Sequence, residues 1–185
     1  MGENSGKSLN EAYAERAAES ASRSTGPVDI EIRRACPEDS AAIAAVLRDA
    51  FEEYKDLYTE GGFAATTPDE KKVLRRMQEG PVWVALRDNV VLGTVAAVLE
   101  GAPSVYIRGM AVLPTARGTG AGTALLRCVE AWSAAQGCTR LFLSTTPFLF
   151  SAIHLYEKAG FRRTNDDLHD LFGTPLFAME KTISP

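Results

Sequence analysis

Histidine and cysteine are scarce in this chain, with two of the former and three of the latter among 185 residues. A zinc or iron site draws on clustered His, Cys and carboxylate ligands, and His154 with His169 supply too few partners, so no metal is expected. Cys36, Cys128 and Cys138 are odd in number, far apart and outside any metal-ligand spacing, which reads as reduced thiols acting as small core residues. A charge excess of one sign is missing too. The formal net charge of −4 and pI near 5.3 give no basic face for nucleic acid and point to a small, soluble partner. No stretch approaches the roughly 20 apolar residues of a membrane span. The first 28 residues lack the apolar centre of a secretion signal, so the expectation is a cytoplasmic protein with no membrane partner. Internal repeats are absent as well.

What is present suits one domain. With 45% hydrophobic residues the chain can bury one good core, expected over 28–185. Residues 1–27 are rich in Glu, Ala, Ser and Gly and read as a mobile N-terminal tail. Residues 29–34 alternate as a half-buried strand through Ile30 and Ile32. Pro37 opens a helix with Ile43, Val46, Leu47, Ala50 and Tyr54 on one stripe. An irregular link over 57–67, holding Gly61, Gly62, Tyr58 and Phe63, precedes a second helix capped near Thr67 and running to about Glu79. The aromatics of that link either touch substrate or plug the side of the core. Val82–Leu86 and Val90–Leu99 flank Asp88-Asn89 as a hairpin. A strand over 104–113, a helix through Leu125, Val129 and Trp132 to Gly137, and a buried strand over 141–144 come next. A helix over 148–159, a short strand from Phe161, a polar loop over 165–173 and a strand from Pro175 to Thr182 complete an α/β order with a mixed sheet.

The chemistry concentrates in Arg117-Gly118-Thr119-Gly120-Ala121-Gly122, between a strand and a helix. Glycines there permit backbone angles closed to other residues, and the helix behind them presents unpaired N–H groups and a positive dipole end, which suits a diphosphate. Alternating glycines also serve as ordinary loops or helix starts. The Gly-Lys-Ser/Thr ending of a P-loop is missing, and no ribose-binding acid stands about 20 residues on, which argues against a nucleotide-binding reading. Instead, a strand from Leu141 leads into a helix that ends Leu155-Tyr156-Glu157-Lys158-Ala159-Gly160-Phe161.

Met110-Ala111-Val112-Leu113-Pro114, then Arg117-x-x-Gly120-x-Gly122, then Leu155-Tyr156-Glu157-Lys158-x-Gly160-Phe161 about 35 residues later resemble the GNAT superfamily of acyl-CoA-dependent N-acyltransferases. The resemblance covers about residues 29–183, with its core at 105–162. It implies an α/β fold with a mixed, mostly antiparallel central sheet flanked by helices, and acetyl-CoA as cosubstrate. It further implies that the main chain of Met110, Ala111 and Val112 pairs with the pantetheine arm and thioester. The N–H groups of Arg117, Gly118, Thr119, Gly120, Ala121, Gly122 and Thr123 would take the diphosphate, with Arg117 adding charge. Tyr156 matches the family tyrosine that protonates the departing thiolate. Periodicity alone makes it a core aromatic, on a stripe with Ala152, Leu155 and Ala159.

Two positions depart from the family pattern. Leu149 stands where many members carry a cofactor-contacting asparagine, and Ser144 where some carry a glutamate base. The base is therefore unassigned, with Glu52, Glu53, Asp56 or a water held by Tyr54 or Tyr58 as candidates. Surface placement is expected for His154. His169 lies between Asp167 and Asp170, and these carboxylates with Glu52, Glu53 and Asp56 would form an acidic rim for a cationic amine if the fold assembled them. The sum is an N-acetyltransferase in which a primary amine attacks acetyl-CoA directly in a ternary complex, since Cys128 and Cys138 suit a core rather than an acyl-carrying thiol. A small-molecule acceptor is favoured, and a protein acceptor and a homodimer stay open. The alternative is a non-catalytic acyl-CoA sensor, prompted by Ser144 and Leu149.

Overall fold

A computed structural model describes residues 30–101, 103–164 and 169–184. The tail expected over 1–27, the strand start at residue 29 and the loop segment 165–168 lie outside the described residues.

Strand β1 (Glu31–Arg34) leads through a 3-10 turn at Pro37–Asp39 into helix α1 (Ser40–Phe51). Asp39 ties the two together. Its carboxylate accepts from the Cys36 amide at 2.8 Å and from both ends of the Arg33 guanidinium at 2.7 and 2.8 Å, and this pairing holds its pKa well below the ordinary range. The expected stripe is buried at Ile43, Val46, Leu47 and Ala50. Tyr54 falls beyond it, in a 3-10 segment Glu52–Leu57. Cys36 is exposed rather than in the core, while Cys138 is buried.

The link over 57–67 is not irregular. It forms a short helix α2 (Glu60–Thr66), whose cap Thr59 accepts from the Gly62 amide at 3.1 Å. Glycine lowers helix propensity, but here the missing side chains are what let the helix dock. A Cβ on Gly62 would overlap Thr174 Oγ1, and one on Gly61 would lie 2.8 Å from Phe172 Cβ. Thr67 closes α2 instead of opening the next helix. Pro68 comes after it, and α3 (Glu70–Glu79) is capped by Asp69, which accepts from the Lys72 amide.

Strands β2 (Val82–Arg87) and β3 (Val90–Leu99) form the expected hairpin, with Asp88 and Asn89 at φ 50° and 62° as a tight primed turn requires. Next come β4 (Ser104–Val112), α4 (Ala121–Ala135), β5 (Arg140–Thr145), α5 (Phe150–Lys158), β6 (Arg162–Arg163), β7 (His169–Leu171) and β8 (Thr174–Thr182). The sheet runs β1-β2-β3-β4-β5-β8-β6, with β7 paired to β8. Every pairing is antiparallel except β4 with β5. The mixed, mostly antiparallel α/β fold stands as expected. Alternating residues send Val82, Val84 and Leu86 toward α1 and α3, and Trp83 and Ala85 toward α4 and α5. Burial of each large aliphatic side chain in these two layers contributes about 1.5–3 kcal/mol.

Two irregularities in β4 open the middle of the sheet. Thr94 pairs with Ala111 but Ala96 with Arg108, so β4 bulges at Gly109 and Met110, with Gly109 at φ +56°. Pairing between β4 and β5 stops at Ile107 with Leu143, although β4 continues to Val112 on β3 and β5 to Thr145 on β8. The two central strands part, and the β5-facing main chain of residues 108–112 has no strand partner.

Candidate active site

A cavity of about 400 Å³ fills the split. Met110, Ala111, Val112, Ser144 and Thr145 form its strand walls, Leu155 and Tyr156 approach from the α5 face, and Phe51, Tyr54, Tyr58 and Arg76 from the α1–α3 face. The opening thus passes through the sheet. All three strand residues expected to contact a pantetheine arm are at its wall.

The glycine loop sits at the head of α4. Pro114–Ala116 makes a 3-10 turn, Thr119 Oγ1 donates to the Ala116 carbonyl at 2.7 Å, and Gly118 and Gly120 turn the chain at φ +77° and +90°. The first amide to find a helical partner is that of Ala124, on the Gly120 carbonyl at 2.9 Å. Among the described residues no acceptor faces the N–H groups of Gly118 through Thr123, a row of donors at the positive end of a 15-residue helix. A Cβ on Gly118 or Gly120 would meet nothing within 4 Å, so the space beside them is open to a ligand.

Two of the loop residues behave differently from the sequence expectation. The Arg117 amide already donates to the Pro114 carbonyl at 3.3 Å. Its side chain donates to the Ala50 carbonyl at 3.2 Å and pairs with Glu53, which ties it to the end of α1. Gly122 lies inside α4, where a Cβ would come 2.9 Å from Leu155 Cδ2, so its smallness serves the approach of α4 to α5.

Tyr156 is a core aromatic that also reaches the cavity. Its ring is buried in the core 5.9 Å from that of Phe161, yet it also lines the cavity. Burial, reinforced by Tyr106 and Tyr58, pushes its pKa above the tyrosine range, so the hydroxyl keeps its proton. Leu149 also lines the cavity, as an apolar wall.

On the other side of the split the walls are aromatic. Tyr58 packs edge-on against Phe148 with centroids 4.9 Å apart, and burial raises its pKa. Phe63 backs Tyr58 from 6.1 Å; of the two link aromatics, Tyr58 faces the cavity and Phe63 supports it. Among the described residues the expected acidic rim is not assembled. Glu52 pairs with Lys55, Glu53 with Arg117, Asp170 accepts from the Gly173 amide at 2.7 Å, and no Asp or Glu is among the cavity's described lining. Asp167 lies outside the described residues. His154 is exposed, as expected. His169 is brought to the site's edge, where its Nε2 lies 3.0 Å from Ser144 Oγ.

Tyr106, Arg76 and Arg108 line the cavity and escaped the sequence reading. Arg108 carried a signal, as the lone charge in an apolar strand. Arg76 looked like an ordinary polar helix residue one turn from Val73.

The acetyltransferase (GNAT) family model matches residues 43–161, more than half of the chain. The chain belongs to that family. It is 33% identical over 135 residues to the uncharacterized N-acetyltransferase YjgM of Escherichia coli (strain K12), covering 70% of this chain and 80% of that protein. It is 32% identical over 143 residues to aminoglycoside N(6')-acetyltransferase type 1 of Stenotrophomonas maltophilia, covering 72% and 86%. In fold it matches the PaiA N-acetyltransferase of Thermoplasma acidophilum, solved with coenzyme A, at TM-score 0.70 and 22% identity over 84% of this chain and 99% of that one. YncA of Salmonella typhimurium, solved with acetyl-CoA, matches at TM-score 0.65 and 22% identity over 83% and 93%. Membership of the family makes the chain an N-acetyltransferase, the enzyme class the motifs implied, with acetyl-CoA as the family's cosubstrate. No helix among the described residues is long and apolar enough to cross a membrane.

Proposed function

We propose that this enzyme acetylates a small primary amine by direct attack in a ternary complex. The observation that carries the reading is the through-sheet cavity, which reaches Arg117 at the start of the glycine loop, where the amides of residues 118–123 are free, and ends on its other side in an aromatic chamber. The amides of Gly118 through Thr123 hold the diphosphate, and the unpaired main chain at Met110, Ala111 and Val112 orients the acyl arm. Acetyl-CoA supplies an activated acyl carbon, to which the amine nitrogen bonds as the carbon–sulfur bond breaks. Tyr156 keeps its proton through burial and donates it to the departing sulfur. Ser144 and His169 take the proton that the amine loses, the serine hydroxyl passing it to the imidazole across their 3.0 Å contact. This relay fills the role left open when Ser144 replaced a glutamate. The chamber is closed by α2 and the β7–β8 turn, where Thr59 Oγ1 donates to the Phe172 carbonyl at 2.8 Å, which favours a small acceptor over a protein. A cytoplasmic location belongs to the same reading.

The test is the pH profile of His169→Ala. With the relay removed, kcat/KM falls about 100-fold near neutral pH and recovers toward the wild type at high pH, where the amine arrives without its proton. An equal deficit at every pH would refute the base role.

A further inference from the structure

The aromatic chamber carries an unbalanced pair of cations. Arg76 on α3 and Arg108 on β4 both line it, and the only carboxylate paired with either among the described residues is Glu79, which meets Arg108. Arg76 has no ion-pair partner there, and its guanidinium donates only to the Ala65 carbonyl at 3.0 Å. Arg108 Nε is buried without any acceptor. The two cations are close enough to disfavour each other. Burial and then the neighbouring Arg108 lower the Arg76 pKa against a smaller opposing pull from Glu79, and Tyr106, itself raised by burial, feels both guanidiniums. Half-buried like charges in a cavity with no acidic lining among the described residues are a cost that an anion would relieve.

We propose that Arg76 and Arg108 form a carboxylate-binding subsite, so that the acceptor is an amine that also bears a carboxylate, of the amino-acid class. The inference rests on the acetyltransfer reading above. The cosubstrate's diphosphate does not satisfy these residues, because its cradle lies at the head of α4 on the opposite face of the sheet from α3. One excess positive charge matches a monoanionic carboxylate better than a phosphate dianion, and a planar guanidinium presents paired donors to a carboxylate. Tyr54, Tyr58 and Phe51 then contact the acceptor's apolar part, and its amine faces the strand split. An aminoglycoside, which carries amines and no carboxylate, leaves the excess positive charge unanswered.

The experiment compares phenylalanine, methionine and glutamate with their α-amides, and adds phosphoethanolamine as a phosphate-bearing amine, by release of the CoA thiol. The wild type is expected to favour at least one free carboxylate over its amide by about 10- to 100-fold in kcat/KM. In Arg76→Gln that ratio falls toward one, and in Arg76→Lys it is intermediate, while acetyl-CoA titration confirms that each variant is folded. Amides that react as well as acids, a preference for the phosphate-bearing amine, or a ratio that Arg76→Gln leaves intact would each overturn the subsite. Acetyl-CoA binding with no acetylation of any carboxylate-bearing amine would overturn it too and spare the cofactor assignment. Failure to bind acetyl-CoA would overturn the function on which it rests.

Discussion

Two glycines with the same backbone strain separate the proposed cofactor cradle from plain chain geometry. Gly120 opens α4 at φ +90° and Gly137 lies just past its far end at φ +73°, and a Cβ on either would meet no atom within 4 Å. Alanine at each position must adopt a left-handed conformation, at a cost of about 1–2 kcal/mol. In a chain of this size that lowers Tm by roughly 2–8 °C, and the two variants should fall by similar amounts. Their ligand binding should not match. At Gly120 the added methyl enters the space beside the free amides of residues 118–123. Loss of a single hydrogen bond to a charged oxygen costs about 1.5–3 kcal/mol, or roughly 10- to 150-fold in Kd. Gly137 lies at the other end of a helix about 22 Å long by its rise per residue, so Gly137→Ala should bind acetyl-CoA as the wild type does. Thermal melts and calorimetric titrations of both variants provide the comparison. Equal affinity in the two, or equal loss, would refute the assignment of the cradle to residues 118–123.

Other outcomes are set by the same geometry. Tyr156→Phe should lower kcat about 100-fold with acetyl-CoA affinity little changed, as read from steady-state rates and titration. The folded-state pKa of Tyr156 is raised by burial, so its contribution to stability is complete below about pH 10 and is lost as pH rises further, because the unfolded chain ionises first. Denaturant melts at pH 9 and 11 should therefore show a steeper decline in the wild type than in Tyr156→Phe. Gly62→Ala forces Thr174 away from α2, which should cost about 1–3 kcal/mol and raise the acceptor KM while leaving acetyl-CoA binding intact. Unchanged acceptor kinetics would show that α2 does not wall the chamber.

The geometry of the proposed cofactor half was legible because its determinants are contiguous. Strand, glycine loop and helix start lie between residues 105 and 124, and the positive φ values of Gly118 and Gly120 are what that glycine spacing suggested. The place of Tyr156 at the cavity was legible through its neighbours Leu155, Glu157, Lys158, Gly160 and Phe161, since periodicity alone described only a core stripe. The proposed acceptor half is assembled from distant segments. Arg76 and Arg108 meet across a separation of 32 residues, Ser144 and His169 across 25, and Thr59 with Thr174 across 115. No local pattern encodes such pairings. Gly61 and Gly62 misled for a physical reason: glycine reads as loop by propensity, but close docking against Phe172 and Thr174 overrides that preference. Arg117 read as a phosphate ligand by motif, yet the end of α1 and Glu53 claim its side chain.

Calorimetric titration of the wild-type enzyme with acetyl-CoA, CoA, ATP and NAD tests the cofactor assignment most directly. Micromolar-range binding of both CoA species, with ATP and NAD far weaker, is the predicted result. Absence of binding to either CoA species, or ATP binding as tightly as acetyl-CoA, would contradict it.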